Sequence, residues 1–209
     1  YAKKDCQIHN SAYMTLEQVI DVIKAVEHEK KMTVRLHTGD PSLYGAIREQ
    51  MDRLDELGIK YDICPGVSSF CGAAAALRAE YTLPDVSQTV IITRMAGRTP
   101  VPEKESIAAL AAHNATMVIF LSTGLLKELS AELIRGGYKP DTPAAIVYKA
   151  SWADQKVCRC TVEDLAQTAA DNGITKTALI CVGYFLGNDY SLSKLYDKSF
   201  ETEFRKAEI

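Results

Sequence analysis

The chain has no Cys-x-x-Cys pair, no excess of basic residues and no apolar run long enough to cross a bilayer, and each absence argues against a class of function. Without cysteine pairs at metal-ligand spacing, neither a zinc site nor a redox dithiol is expected. The six cysteines (Cys6, Cys64, Cys71, Cys158, Cys160, Cys181) sit mostly in apolar runs and read as small core residues. Cys158 and Cys160, at i and i+2 on an expected strand, share a face but have no histidine nearby in sequence. A net charge of −3 and a pI near 5.9 leave no global basic footprint, so nucleic acid is not an expected partner and any anionic ligand must be met by local Arg and Lys. With no signal peptide and no membrane span, the reading is a cytoplasmic protein with no membrane partner. Low-complexity segments and internal repeats are also missing. What remains is an ordinary globular composition, 47% hydrophobic and 24% charged over 209 residues, enough for one large domain or two small ones.

Thr15-Leu-Glu-Gln18 has capping-box spacing and precedes Leu16, Val19, Ile20 and Ile23 at helical intervals, predicting a helix to about Lys30. A strand over Thr33–Leu36 is expected next, then a helix with Leu43, Ile47, Met51 and Leu54 on one face ending near Gly58, then a strand over Tyr61–Cys64. This alternation reads as parallel α/β. The Pro-containing stretch Tyr81–Gln88 interrupts it, so a domain boundary is placed at 86/87, giving an N-terminal domain of 1–86 and a C-terminal domain of 87–209. Beyond it, strands are expected at Thr89–Thr93, Met117–Leu121, Ala144–Tyr148, Lys156–Cys160 and Ala178–Val182. Helices are expected at Lys104–Ala112, at Leu125–Arg135 and after a Thr161 cap. Several of these strands have hairpin-like spacing, which predicts a mixed second sheet.

Chemistry concentrates in His37-Thr-Gly-Asp-Pro-Ser-Leu-Tyr-Gly45, a short polar loop at the end of an expected strand, where an open α/β sheet keeps its ligand. A carboxylate in that loop works against a phosphate cradle, because Asp40 would compete for the backbone N–H groups and repel the anion. A ligand with ribose hydroxyls or a positive charge suits it better, and S-adenosyl-L-methionine offers both. Gly-Asp-Pro also makes an ordinary turn, so the loop alone leaves both readings open. A second strand-to-loop junction, Tyr61–Cys64 into Pro65-Gly-Val-Ser-Ser69, leads into the Ala-rich segment from Phe70 to Leu77.

Taken together, the loop at 37–45, Pro65-Gly-Val-Ser-Ser69 and Thr93-Arg-Met-Ala-Gly-Arg-Thr-Pro-Val-Pro102 resemble the tetrapyrrole methylase family. The third motif narrows the likeness to the branch that methylates carbon 11 of precorrin-4 or cobalt-precorrin-4 in corrin biosynthesis. The resemblance runs in order along the chain, through Pro143–Ser151 and Thr177–Gly183. It implies two α/β domains with S-adenosyl-L-methionine in the cleft between them, a tetrapyrrole substrate and a homodimer. Carried over by position, it implies cofactor contacts from Thr38, Gly39, Asp40, Leu43, Ser68, Ser69, Leu121, Ala150 and Ala178. For the polycarboxylate substrate, Arg94 and Arg98 flank Met95-Ala-Gly97, with Arg78 and Lys149 as further candidates. Tyr44 either positions the ring or is a buried structural tyrosine. His37 reads as hydrogen-bonded and structural, and His9, His28 and His113 as surface residues. No catalytic residue is named, because displacement at a sulfonium needs alignment rather than a dedicated nucleophile. The same fold and cofactor also serve methylases of other precorrins, uroporphyrinogen III, diphthine and rRNA, and a non-catalytic paralogue would keep the fold. Family members open with a strand ending in a Gly-Pro-Gly-Asp-type loop that has no counterpart here, so the first domain is expected to be incomplete at its start, by about one βα unit.

Overall fold

In the computed structural model, which describes residues 2–208, the chain gathers into two compact units, one up to Ser68 and one from Ser69 onward. In the first unit, Thr15 caps helix α1 (Leu16–His28) by accepting from the Gln18 amide, while the Gln18 side chain accepts from the Thr15 amide at 2.8 Å. The amphipathic spacing then buries Val19, Ile20 and Ile23 against Leu54 of α2 (Arg48–Glu56). Removing the cap hydroxyl with Thr15→Ala is expected to destabilise α1 by about 1 kcal/mol. Faster amide exchange over residues 16–20 checks it; exchange rates equal to wild type would contradict the cap's role.

Helix α2 starts later than Leu43 because Leu43 sits in a turn, its amide bonded to the Asp40 carbonyl, and Tyr44 and Ala46 take left-handed φ values of 56° and 49°. The two expected strands of this unit, and with them a mostly parallel first sheet, are not formed. Residues 33–36 and 61–64 make no ladder hydrogen bonds, and Leu36 is 84% exposed. A β-rich composition is not enough for a strand, which needs a neighbour to pair its N–H and C=O groups. Instead Arg35 ties its segment down through side chains, with Nε on Gln50 Oε1 at 3.0 Å and Nη1 on Ser11 Oγ at 3.1 Å.

The second unit is built on one mixed sheet. Its strands are β1 (Val90–Arg94), β2 (Thr116–Phe120), β3 (Pro143–Tyr148), β4 (Lys156–Thr161) and β5 (Ala178–Val182), in the order β1-β2-β5-β3-β4. β1 and β2 are parallel, whereas β5 lies antiparallel between β2 and β3, and β4 pairs antiparallel to β3 at the edge. Side-chain alternation divides the buried residues between the two faces. Met117, Ile119, Ile146, Ile180 and Val182 form one cluster with Leu129 and Leu133 of α5 (Leu126–Gly136) and Leu165 of α6 (Leu165–Asp171). On the other face, Val118, Ala145, Val147, Leu179 and Cys181 pack with Ala73 and Leu77 of α3 (Ser69–Leu77) and with Tyr81. These contacts group residues 69–86 with the second unit, although the sequence pattern changes only at 86/87.

Two further expectations differ in detail. The helix expected over 104–112 is a 3₁₀ turn followed by α4 (Ile107–Ala111), which Ser106 caps by accepting from the Ala109 amide. Thr161 is not the cap of α6: it ends β4, and its hydroxyl donates to Asp164, the residue before the helix, at 2.8 Å. Of the cysteines, Cys6, Cys64 and Cys71 are exposed rather than core residues, Cys158 and Cys160 are half-buried, and only Cys181 is fully buried. Burial pushes the Cys181 thiol up to about 12, which keeps it protonated and unreactive.

Candidate functional site

In the first unit, the loop from Thr38 to Gly45 is folded around the Asp40 carboxylate. Oδ1 accepts from the Ser42 hydroxyl and from the Ser42 amide at 2.9 Å, and Oδ2 accepts from the Gly66 amide at 2.8 Å. The Ser42 hydroxyl first, then the Gly66 and Ser42 amides, hold the Asp40 carboxyl below its ordinary value. Because the lowered value belongs to the folded chain, these bonds are complete above the ordinary carboxylate range. They are lost as pH falls through the lowered value. Two glycines make the loop possible: a Cβ on Gly66 would overlap the carbonyl oxygen of Gly39, and one on Gly45 would overlap that of Pro41. Gly39 itself has φ +75°, which glycine adopts without strain. Thr38 and Gly39 are exposed, Leu43 is half-buried, and Ser68 is buried at the end of this unit. Tyr44 is 45% exposed, so it is not a buried structural tyrosine.

In the second unit, the expected positions meet at one end of the sheet. The carboxyl ends of β1, β2 and β3 and the amino end of antiparallel β5 share that end, so Arg94, Met95, Leu121, Ala150 and Ala178 lie along a single rim. α3 brings its own start there, since a Cβ on Gly72 would touch the Ala150 methyl at 3.4 Å, and Ser69 opens that helix with its side chain exposed. Rim segments are bonded to one another. The Met95 amide donates to Ser122 Oγ at 2.9 Å, the Thr123 hydroxyl donates to the Ala178 carbonyl at 3.2 Å, and the Lys149 amide donates to the Thr177 carbonyl at 3.0 Å. Leu121, Lys149, Ser151 and Thr177 all have positive φ, between 46° and 73°, which side chains other than glycine adopt at a cost. Leu121 is moreover 72% exposed, an apolar side chain presented rather than packed.

The two arginines differ in employment. Arg94 turns back on its own loop, with Nη2 donating to the Pro100 carbonyl at 2.7 Å and Nη1 to those of Thr99 and Met95 at 3.1 and 3.4 Å. Arg98, at the exposed turn this creates, makes no hydrogen bond or ion pair among the described residues. Met95 is half-buried against the sheet's core. Lys149 is engaged by Asp154 at 2.6 Å and lies over the Tyr148 and Trp152 rings. Arg78 is exposed with a left-handed φ at the end of α3, His37 is half-buried, and His9, His28 and His113 are exposed.

Sequence reading missed Ser122 and Thr123, whose signal is a pair of hydroxyls directly after an apolar strand. It also missed Ser42 and Gly66 as partners of Asp40. Among the described residues, no cluster of His, Cys, Asp or Glu is arranged to hold a metal ion, and no helix is long and apolar enough to cross a membrane.

The chain is 56% identical over 209 residues to a cobalt-precorrin-4 C(11)-methyltransferase from Methanocaldococcus jannaschii, covering 99% of this chain and 80% of that one. Its fold matches the crystal structure of a cobalamin biosynthetic enzyme, cobalt precorrin-4 methyltransferase, with a TM-score of 0.87 and 46% identity over 90% of this chain and 78% of that one. A uroporphyrin-III C-methyl transferase from Thermus thermophilus, complexed with S-adenyl homocysteine, shares the fold at 20% identity and a TM-score of 0.66, over 81% and 74% of the two chains. The profile of the Tetrapyrrole (Corrin/Porphyrin) Methylases matches residues 2–166, and the chain belongs to that family.

Proposed function

We infer that this chain transfers a methyl group from S-adenosyl-L-methionine to carbon 11 of cobalt-precorrin-4, or of precorrin-4 as its metal-free equivalent, in cobalamin biosynthesis. The observation that carries this reading is the 56% identity over 99% of the chain to a relative of that name. When bound, the cofactor supplies a methyl group on a sulfonium, a good leaving group. The chain's own contribution is alignment, which in well-oriented reactions is worth up to about 7–11 kcal/mol. The residues present fit a nucleoside: a rim of small side chains at Ser69, Ala150 and Ala178 leaves room for a flat base, and the exposed Leu121 offers it an apolar face. Thr38, Gly39, Leu43 and Ser68 complete the cofactor set in this reading, and Asp40 serves it by holding their loop. Tyr44, Met95, Arg94 and Arg98 serve the tetrapyrrole, Arg94 by shaping the loop and Arg98 by meeting a carboxylate. A homodimer in the cytoplasm belongs to the same reading and rests on the family likeness.

The test is incubation with cobalt-precorrin-4 and a methyl-labelled donor, followed by location of the label. Label on carbon 11 is the expected result; label elsewhere, or no transfer, overturns the assignment. In the same assay, Arg98→Ala is expected to raise KM for the tetrapyrrole about tenfold, as for a lost charge-assisted hydrogen bond, with donor KM unchanged. An unaltered tetrapyrrole KM would remove Arg98 from the substrate's contacts.

A further inference from the structure

We propose that Asp40 is a positioning residue that clasps the 38–45 loop to the Pro65–Gly66 segment, and so shapes the donor's seat without itself having to touch the donor. The geometry is of a cross-brace. One carboxylate oxygen is taken by the amide and hydroxyl of Ser42, inside the loop, and the other by the amide of Gly66, 26 residues on. The loop backbone and the Pro65–Gly66 segment lie so close that Gly66 has no room for a methyl group beside the Gly39 carbonyl. At that separation a neutral side chain does not substitute for the carboxylate. Asparagine offers one acceptor oxygen and an NH₂ group, and it would bring N–H against N–H at either Gly66 or Ser42. The charge of Asp40 is therefore spent on three intramolecular donors, and residues 38–39 and 65–68 keep their relative placement because of it.

This inference rests on the functional reading above and makes a different demand of it. Binding of S-adenosylhomocysteine, and of 5′-methylthioadenosine, which lacks the amino-acid end, is measured by calorimetry for wild type, Asp40→Asn and Ser42→Ala. Hydrogen exchange over residues 39–45 and 65–67 is followed in the ligand-free proteins. A clasp predicts that Asp40→Asn weakens both ligands by a similar factor, about tenfold or more, and speeds ligand-free exchange in both segments. Ser42→Ala, which removes one of the three donors and serves as the second variant should Asp40→Asn fold poorly, shows the same pattern at about threefold. KM for the tetrapyrrole is expected to stay put, a selectivity that a general loss of stability would not produce. A loss confined to S-adenosylhomocysteine would mark Asp40 as a direct partner of the amino group and overturn the clasp, as would unchanged ligand-free exchange. If wild type binds neither ligand, the functional reading fails; if wild type binds and Asp40→Asn binds equally well, the clasp alone fails.

Discussion

Ile146→Ala is expected to lower the stability of the second unit by about 2–5 kcal/mol, the range for truncating a fully buried aliphatic side chain. Ile146 is wholly buried in β3, a strand flanked by β5 and β4, with Cys158 and Ile180 as its register partners. Its side chain belongs to the cluster that holds Met117, Leu129, Leu133 and Leu165. Those neighbours are fixed by a sheet on one side and helices on the other, so they cannot collapse into the space, and the cavity term adds to the lost transfer energy. In a unit of this size each kcal/mol moves the thermal midpoint by about 2–4 °C, which calorimetry resolves easily. A drop equivalent to less than about 1 kcal/mol would mean that the packing on this face is loose.

The second large effect concerns binding rather than folding. Gly66→Ala places a methyl group where the Gly39 carbonyl oxygen already is, and backbone atoms on both sides leave no flexible side chain to move aside. The loop and the Gly66 segment must separate, which also stretches the 2.8 Å bond from the Gly66 amide to Asp40. S-adenosylhomocysteine affinity is expected to fall about tenfold or more, about 1.4 kcal/mol for each factor of ten, while the melting of the sheet-bearing unit stays at its wild-type temperature. Calorimetric titration of the two proteins side by side decides it: equal affinities would show that this close approach has no bearing on the donor.

Much of the sheet was legible because β2, β3 and β5 are buried on both faces. They therefore appear as continuous apolar runs, Met117–Phe120, Ala144–Val147 and Ala178–Val182. Thr33–Leu36 has strand-favouring residues but no partner strand among the described residues, and composition carries no information about pairing. Thr161 misled in a milder way: a threonine ahead of a helix reads as a cap, and only its bond to Asp164 shows it one turn too early. The glycine loop was legible as a motif, whereas its internal wiring was not. The acceptors of Arg94 are carbonyls that reach it only after the chain has turned back at residues 97–100. One partner of Asp40, Gly66, lies 26 residues on, and four left-handed rim residues are ordinary side chains with no mark in the sequence.

The middle position in the sheet is taken by the strand that comes last along the chain. During synthesis, β2 and β3 therefore emerge with no hydrogen-bonding partner between them, and both edges of that gap stay open until residues 178–182 leave the ribosome. Closure of the sheet accordingly waits for contacts distant in sequence, the circumstance in which a nascent chain depends most on protection from aggregation.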